Sequence, residues 1–348
     1  MKKIYLLIVL FQVAILTHGQ EQKGKIVVDH LYSPALENDV GENPTRRVTI
    51  YLPPGYEESN LKYPVLYYLH AGTMNDSLVI AVNHLDKLLD KAIASGKIKP
   101  VIVVISDQYT LYRIGMYTNS SLTGNWSDFT SRDLVAYVDQ NYRSIKDKDS
   151  RGIAGHSGGG HGAVKLGMLF PDVFSCVYAL SPAGLVLGGE WGPKSSWYQQ
   201  AQQIKTREAL INGPNNFGAN VVIAIGREYS PNPNKPPFYT DLPFTYIGDS
   251  LIINHKILEL WKKNTPIDMV DDYLDNLKQL KALKFDWGRN DPFENVLLAK
   301  KFSEKLEDLG INHYAEEYIG DHGNKLYTDD GRVLNDLLPF FNTYLKFE

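Results

Sequence analysis

The stretch Arg151-Gly-Ile-Ala-Gly-His-Ser-Gly-Gly-Gly-His-Gly-Ala163 contains Gly155-His156-Ser157-Gly158-Gly159, a G-x-S-x-G pentapeptide lying between a strand pattern and a helix pattern. A serine on such a strained turn needs small neighbours, because the following helix crosses close to the strand that precedes it. Gly155 and Gly159 supply that room. Upstream, the helix-like run Tyr137–Tyr142 ends, and the polar loop Lys146–Ser150 leads into the strand. Downstream, Ala163–Phe170 has helical apolar spacing and stops at Pro171, and Val173–Pro182 reads as a further buried parallel strand. The pentapeptide thus sits in a strand–turn–helix–strand unit, and Ser157 is a candidate nucleophile. A serine hydroxyl is a poor nucleophile at neutral pH and needs an imidazole base, a carboxylate to hold that base, and donors for the oxyanion.

The same alternation extends along the chain. Lys25–Leu36 and Arg46–Leu52 read as two strands joined by a polar turn at Asn38–Pro44, an antiparallel N-terminal meander. Tyr63–Leu69 is a buried strand that feeds the small, polar loop His70–Asn75; the helical pattern Val82–Ser95 and the strand Pro100–Ser106 follow. A mostly parallel α/β sheet with helices on both faces is the simplest reading. With 348 residues, 43% of them hydrophobic and 22% charged, one catalytic domain over residues 20–348 accounts for the chain. A segment from about 183 to 246 breaks the rhythm. It holds Trp191, Trp197, a helix-like Gln199–Asn212, a strand-like Val221–Ile225 and the proline-dense Ser230–Tyr239. Such an insertion reads as a lid or binding wall, with Trp197 and Phe238 as substrate contacts.

Residues 1–19 read as a signal peptide: Lys2 and Lys3, the apolar run Ile4–Leu16, then Thr17-His18-Gly19. The run is short for a membrane span, so an exported protein, periplasmic or secreted, is expected, free of the membrane once the leader is cleaved. The net charge of −4 and the lack of a basic stripe interleaved with aromatics argue against nucleic acid as a partner. Cys176, the single cysteine, falls in a buried strand pattern and reads as a small core residue.

Near the C-terminus, the strand Leu283–Gly288 runs into the polar loop Arg289-Asn290-Asp291-Pro292-Phe293. A helix over Asn295–Leu309, a strand Tyr314–Tyr318 and the loop Gly320-Asp321-His322-Gly323 follow. His322 is the candidate base. Asp291 leads as the acid, with Glu294 in reserve and Asp286 read as a structural group at the strand end. His70, His156 and His161 read as packing or hydrogen-bonding groups. His156, His161 and Asp321 lack the spacing of a metal site, so neither metal nor cofactor is expected. The backbone N–H of Gly158 and that of Gly72, with Thr73 next in line, are the oxyanion candidates.

Four segments together carry a family resemblance: Tyr51-Leu-Pro-Pro-Gly-Tyr56, Tyr63-Pro-Val-Leu-Tyr-Tyr-Leu-His70, Gly155-His-Ser-Gly-Gly159 and Gly320-Asp-His-Gly323. On these the chain resembles the Putative esterase family of α/β-hydrolases, which includes S-formylglutathione hydrolases, feruloyl esterases, siderophore esterases and mycolyltransferases. The resemblance implies an α/β-hydrolase fold with Ser157 as nucleophile, Asp291 as acid and His322 as base. Two positions depart from the family pattern: Ala71 stands where glycine often follows the histidine, and Gly158-Gly159-Gly160 replaces Met-Gly-Gly after the serine. Ala71 is expected to shift the oxyanion loop slightly, while Gly158 keeps its N–H. The expected activity is hydrolysis of carboxylic esters, small-molecule or carbohydrate-linked, through an acyl-enzyme. Acyl transfer on the same residues and a catalytically silent binding module are the alternatives.

Overall fold

The computed structural model describes residues 23–348; the leader expected at residues 1–19 lies outside them. Eight strands form one twisted sheet: β1 (Lys25–Tyr32), β2 (Thr45–Leu52), β3 (Val65–Leu69), β4 (Ile102–Ser106), β5 (Arg151–His156), β6 (Cys176–Leu180), β7 (Ala282–Gly288) and β8 (Tyr314–Tyr318). Their order is β1-β2-β4-β3-β5-β6-β7-β8. β1 runs antiparallel to β2 and β2 antiparallel to β4, while every pairing from β4 through β8 is parallel. The N-terminal meander and the parallel sheet expected from the sequence are both present.

The central strands are continuous apolar runs because both sheet faces are covered. Along β3, Val65, Tyr67 and Leu69 enter one core, and Leu66 and Tyr68 enter the other. The first core is closed by α2 (Leu134–Asn141), α3 (Gly158–Leu169) and α5 (Ala299–Asp308); the second by α1 (Leu85–Ala94) and α6 (Leu338–Tyr344). α1 shows how the pattern decides the face: Leu85, Leu88, Leu89 and Ala92 recur at helical spacing and are buried, while its charged residues point away from that stripe. Cys176 is buried in β6, where burial raises its thiol to about 11.

Between β6 and β7 the chain leaves the sheet for a long excursion with an apolar core of its own, built around Tyr198, Trp261 and α4 (Phe217–Tyr229). Two expectations are corrected here. Val221–Ile225, read as a strand, is the middle of α4. Every residue of α4 from Gly218 to Tyr229 is buried, and a continuous apolar run such as Val221–Ile225 cannot be told from a buried strand by periodicity. The helix expected over Gln199–Asn212 is two, Ser196–Gln203 and Arg207–Asn212, divided where the Thr206 side chain caps the second. Among the described residues, no helix is long and apolar enough to cross a membrane.

Candidate active site

β5 delivers Ser157 to the rim of the sheet at φ 57°, ψ −117°, a left-handed conformation that costs a non-glycine residue strain and lifts its side chain out of both strand and helix. The close approach inferred from the glycines is real. A Cβ on Gly155 would lie 2.4 Å from the backbone of Gly159, and one on Gly159 would lie 2.1 Å from the Leu69 carbonyl oxygen. Ser157 is anchored by its N–H to the Leu180 carbonyl (3.0 Å) and by its own carbonyl, which accepts from His161 and Ala183 (3.0 Å each). Its hydroxyl remains at the floor of an open cleft.

Two amides border that serine. Gly158 is the first residue of α3, so its N–H has no acceptor within the helix and lies at the positive end of the helix dipole. Gly72 is its neighbour across the cleft: a Cβ on Gly158 would come within 3.5 Å of the Gly72 nitrogen. Thr73, the other candidate, donates its N–H to the Arg113 carbonyl (2.8 Å). His70 orients the loop. The Gln108 N–H donates to His70 Nε2 (3.0 Å), so the ring proton sits on Nδ1 and is donated to the Ala71 carbonyl (2.9 Å). In a trans peptide that carbonyl and the Gly72 N–H point in opposite directions, so fixing one aims the other.

Asp291 and His322 come from the loops after β7 and β8, parallel neighbours whose ends lie side by side. The loops are laced together by Arg289 N–H to the Tyr318 carbonyl (2.9 Å) and Asn290 N–H to the Gly320 carbonyl (3.0 Å). His322 Nδ1 meets Asp291 Oδ2 at 2.7 Å, and Asp291 Oδ1 accepts the Phe293 N–H at 2.9 Å. The carboxylate is buried; the imidazole, partly exposed, lines the same cleft as Ser157. Its ring lies between His156, centroid to centroid 4.8 Å, and the edge of Phe293, 5.1 Å. His156 Nε2 donates to the His322 carbonyl (3.0 Å), and enclosure together with the neighbouring His322 pushes the His156 imidazole down to about 3, so it carries no charge at neutral pH. His161, with Nδ1 on the Ala183 carbonyl and Nε2 on the Tyr229 hydroxyl, is likewise held neutral by burial. Among the described residues, no cluster of His, Cys, Asp or Glu fit to hold a metal ion occurs.

The remaining carboxylates separate cleanly. Glu294 is exposed and makes no hydrogen bond to His322 among the described residues. Asp286 is buried beneath the site, where it accepts from the Arg332 guanidinium, the Tyr178 hydroxyl (3.0 Å) and the Ser181 N–H (3.1 Å). Arg332 also lies 4.0 Å over the ring of Tyr318, whose hydroxyl donates to the Asp321 carbonyl (2.5 Å), next to His322. This ion pair underpins the histidine loop. Arg332→Met leaves the Asp286 carboxyl buried without its cation and is expected to cost about 3 kcal/mol of stability, to be read from chemical denaturation.

The excursion supplies the cleft's far wall. Trp197 lines it and packs against Phe217, which touches Phe293, so an aromatic chain runs from the excursion to His322. Phe238 does not join them. It stacks edge-on against Tyr112 at 6.4 Å and borders a separate cavity, because the turns of the proline-rich run carry it to the outer side of α4. Trp191, in the insertion expected to form a binding wall, lines the cleft too, and Ile114, Met116, Phe217, Val221, Phe293 and Val296, which were not expected there, complete the lining. Phe293 had a signal in its position two residues after Asp291; the others are ordinary apolar residues brought in by tertiary packing.

The sequence profile described as Putative esterase matches residues 42–330, most of the chain. The chain belongs to that family. An esterase of Mycobacterium tuberculosis is 33% identical over 151 residues, 42% of this chain and 31% of the relative. An S-formylglutathione hydrolase of Arabidopsis thaliana is 26% identical over 194 residues, 51% of this chain and 68% of the relative. The chain thus spans under a third of the mycobacterial esterase and about two thirds of the plant enzyme. Among solved structures, a ferulic acid esterase superposes with a TM-score of 0.62 at 22% identity, over 93% of this chain and 100% of the other. The esterase family and this superposition fix the fold as α/β-hydrolase.

Proposed function

We propose that this chain is a serine esterase that hydrolyses carboxylic esters through an acyl-enzyme on Ser157, and that it works outside the cytoplasm after loss of a leader at residues 1–19. The hydrolase reading rests on one arrangement: His322, held at Nδ1 by Asp291, lines the cleft that contains Ser157 and the amides of Gly158 and Gly72. The Asp291 bond leaves His322 Nε2 for the cleft. That nitrogen takes the Ser157 proton as Oγ attacks the ester carbonyl, and Asp291 stabilises the resulting imidazolium. The two amide N–H groups donate to the oxyanion. Collapse of the tetrahedral intermediate returns the proton to the departing alcohol, and water, activated by His322 in turn, releases the acid. Export rests on the pattern of Lys2, Lys3 and Ile4–Leu16.

The complete set of nucleophile, base, acid and donors argues against a silent binding module. Incubation with a fluorophosphonate probe is expected to label one serine, Ser157, and to abolish hydrolysis of 4-nitrophenyl acetate in proportion to labelling. An unlabelled protein without esterase activity refutes the proposal. The aromatic wall adds a second test. Trp197→Ala is expected to lower kcat/KM for an aromatic acyl ester about tenfold more than for the acetyl ester. Phe238→Ala, off the cleft, should leave that ratio unchanged while lowering Tm.

A further inference from the structure

Polarity in the cleft is confined to its reactive end. Beyond Ser157, His322 and the amides of Gly72 and Gly158, the surface is almost wholly carbon, from Ile114, Met116, Trp191, Trp197, Val221 and Val296. Several hydrogen-bonding groups of these wall segments are satisfied from behind. The Met116 N–H is held by both oxygens of the buried Glu228 (3.1 Å each), and the Ile114 carbonyl accepts the Thr110 hydroxyl (2.7 Å). Ala183 donates its N–H to the Ser157 carbonyl, and its own carbonyl faces His161 Nδ1. Asn295, the one amide side chain lining the cleft, is spent twice: its Oδ1 accepts the Gly184 N–H (3.0 Å) and its Nδ2 donates to Glu190 Oε2 (2.7 Å). Glu190 also takes the N–H groups of Glu294 and Asn295. The Trp197 indole turns its Cδ1–Nε1 edge onto Gly218 of α4. Two acidic side chains set behind the wall, Glu190 and Glu228, therefore draw backbone and amide groups of the wall away from the cleft.

We propose that this cleft is an acyl subsite for wholly apolar acyl groups, alkyl or aryl without polar substituents, and that it discriminates against acyl groups bearing a hydroxyl remote from the ester carbonyl. The proposal rests on the ester-hydrolase reading above. A hydroxyl entering the subsite gives up its water for a lining that is almost wholly carbon, a cost that a methyl group of the same size does not bear.

The test compares kcat/KM for two size-matched pairs sharing one leaving group, with Ser157→Ala as the blank. The first pair is 4-nitrophenyl heptanoate and 6-hydroxyhexanoate. The second is 4-nitrophenyl 3-(4-methylphenyl)propanoate and 3-(4-hydroxyphenyl)propanoate, whose saturated linker isolates the ester from the ring. In each pair the methyl member is expected to be preferred by about 10- to 100-fold. A ratio within about threefold in either pair, or a preference for the hydroxyl member, overturns the apolar subsite while leaving the hydrolase intact. If none of the four esters is turned over above the blank, the hydrolase reading falls and takes the subsite with it.

Discussion

Ser157→Ala is expected to lower kcat for ester hydrolysis by about 10⁴-fold or more, because in the proposed mechanism Ser157, His322 and Asp291 act as a unit and loss of the nucleophile forfeits the acyl-enzyme route. The fold should be untouched. Alanine keeps the Cβ, so the strained backbone at φ 57° and the three hydrogen bonds of the Ser157 backbone are the same in both proteins. The variant removes a hydroxyl that makes no hydrogen bond among the described residues, and that loss carries almost no packing. Equal Tm, abolished fluorophosphonate labelling and a collapsed kcat are the expected triplet. A variant that keeps even a tenth of wild-type turnover would place the covalent step elsewhere.

The elbow is legible in the sequence because its constraints are local and steric. Gly155 and Gly159 are required where a helix backbone passes within touching distance of a strand, and no other residue fits. The parallel strands are legible for a similar reason, since a sheet covered on both faces leaves only apolar residues in Val65–Leu69 or Ile102–Ile105. Chain order and loop position single out Asp291 and His322 before their 2.7 Å contact is seen. The sequence places Gly72 ahead of Thr73 but carries no signal for what becomes of the Thr73 proton, since the Arg113 carbonyl that takes it is forty residues away. The excursion between β6 and β7 hid the most. Val221–Ile225 carries strand-forming residues, yet packing on Trp197, Tyr198 and Trp261 makes it helical, a case of tertiary burial overriding local preference. The same packing swings Phe238 outward and brings Phe217 in, and neither outcome has a signature at its own position.

Asp291→Asn and Glu294→Gln form the second decisive comparison. The asparagine is expected to lower kcat about 10³- to 10⁴-fold, and the glutamine to leave it within about twofold. Asp291 accepts the His322 Nδ1 proton at 2.7 Å and is itself fixed by the Phe293 N–H, which occupies its other oxygen. An amide there can keep that geometry only by offering its NH₂ to Nδ1. The imidazole is then driven to the tautomer with its proton on Nε2, facing the serine as a donor when the reaction needs an acceptor, and the imidazolium loses its counter-charge. Glu294 is exposed at the start of the next helical turn, so neutralising it changes nothing His322 feels. Because the asparagine variant retains Ser157 and the oxyanion amides, it should still react with fluorophosphonate, only slowly. Equal, mild losses from both substitutions would exclude Asp291 as the partner of His322 in catalysis. The buried Asp286, committed to Arg332, Tyr178 and Ser181, could not take its place without dismantling the floor of the histidine loop.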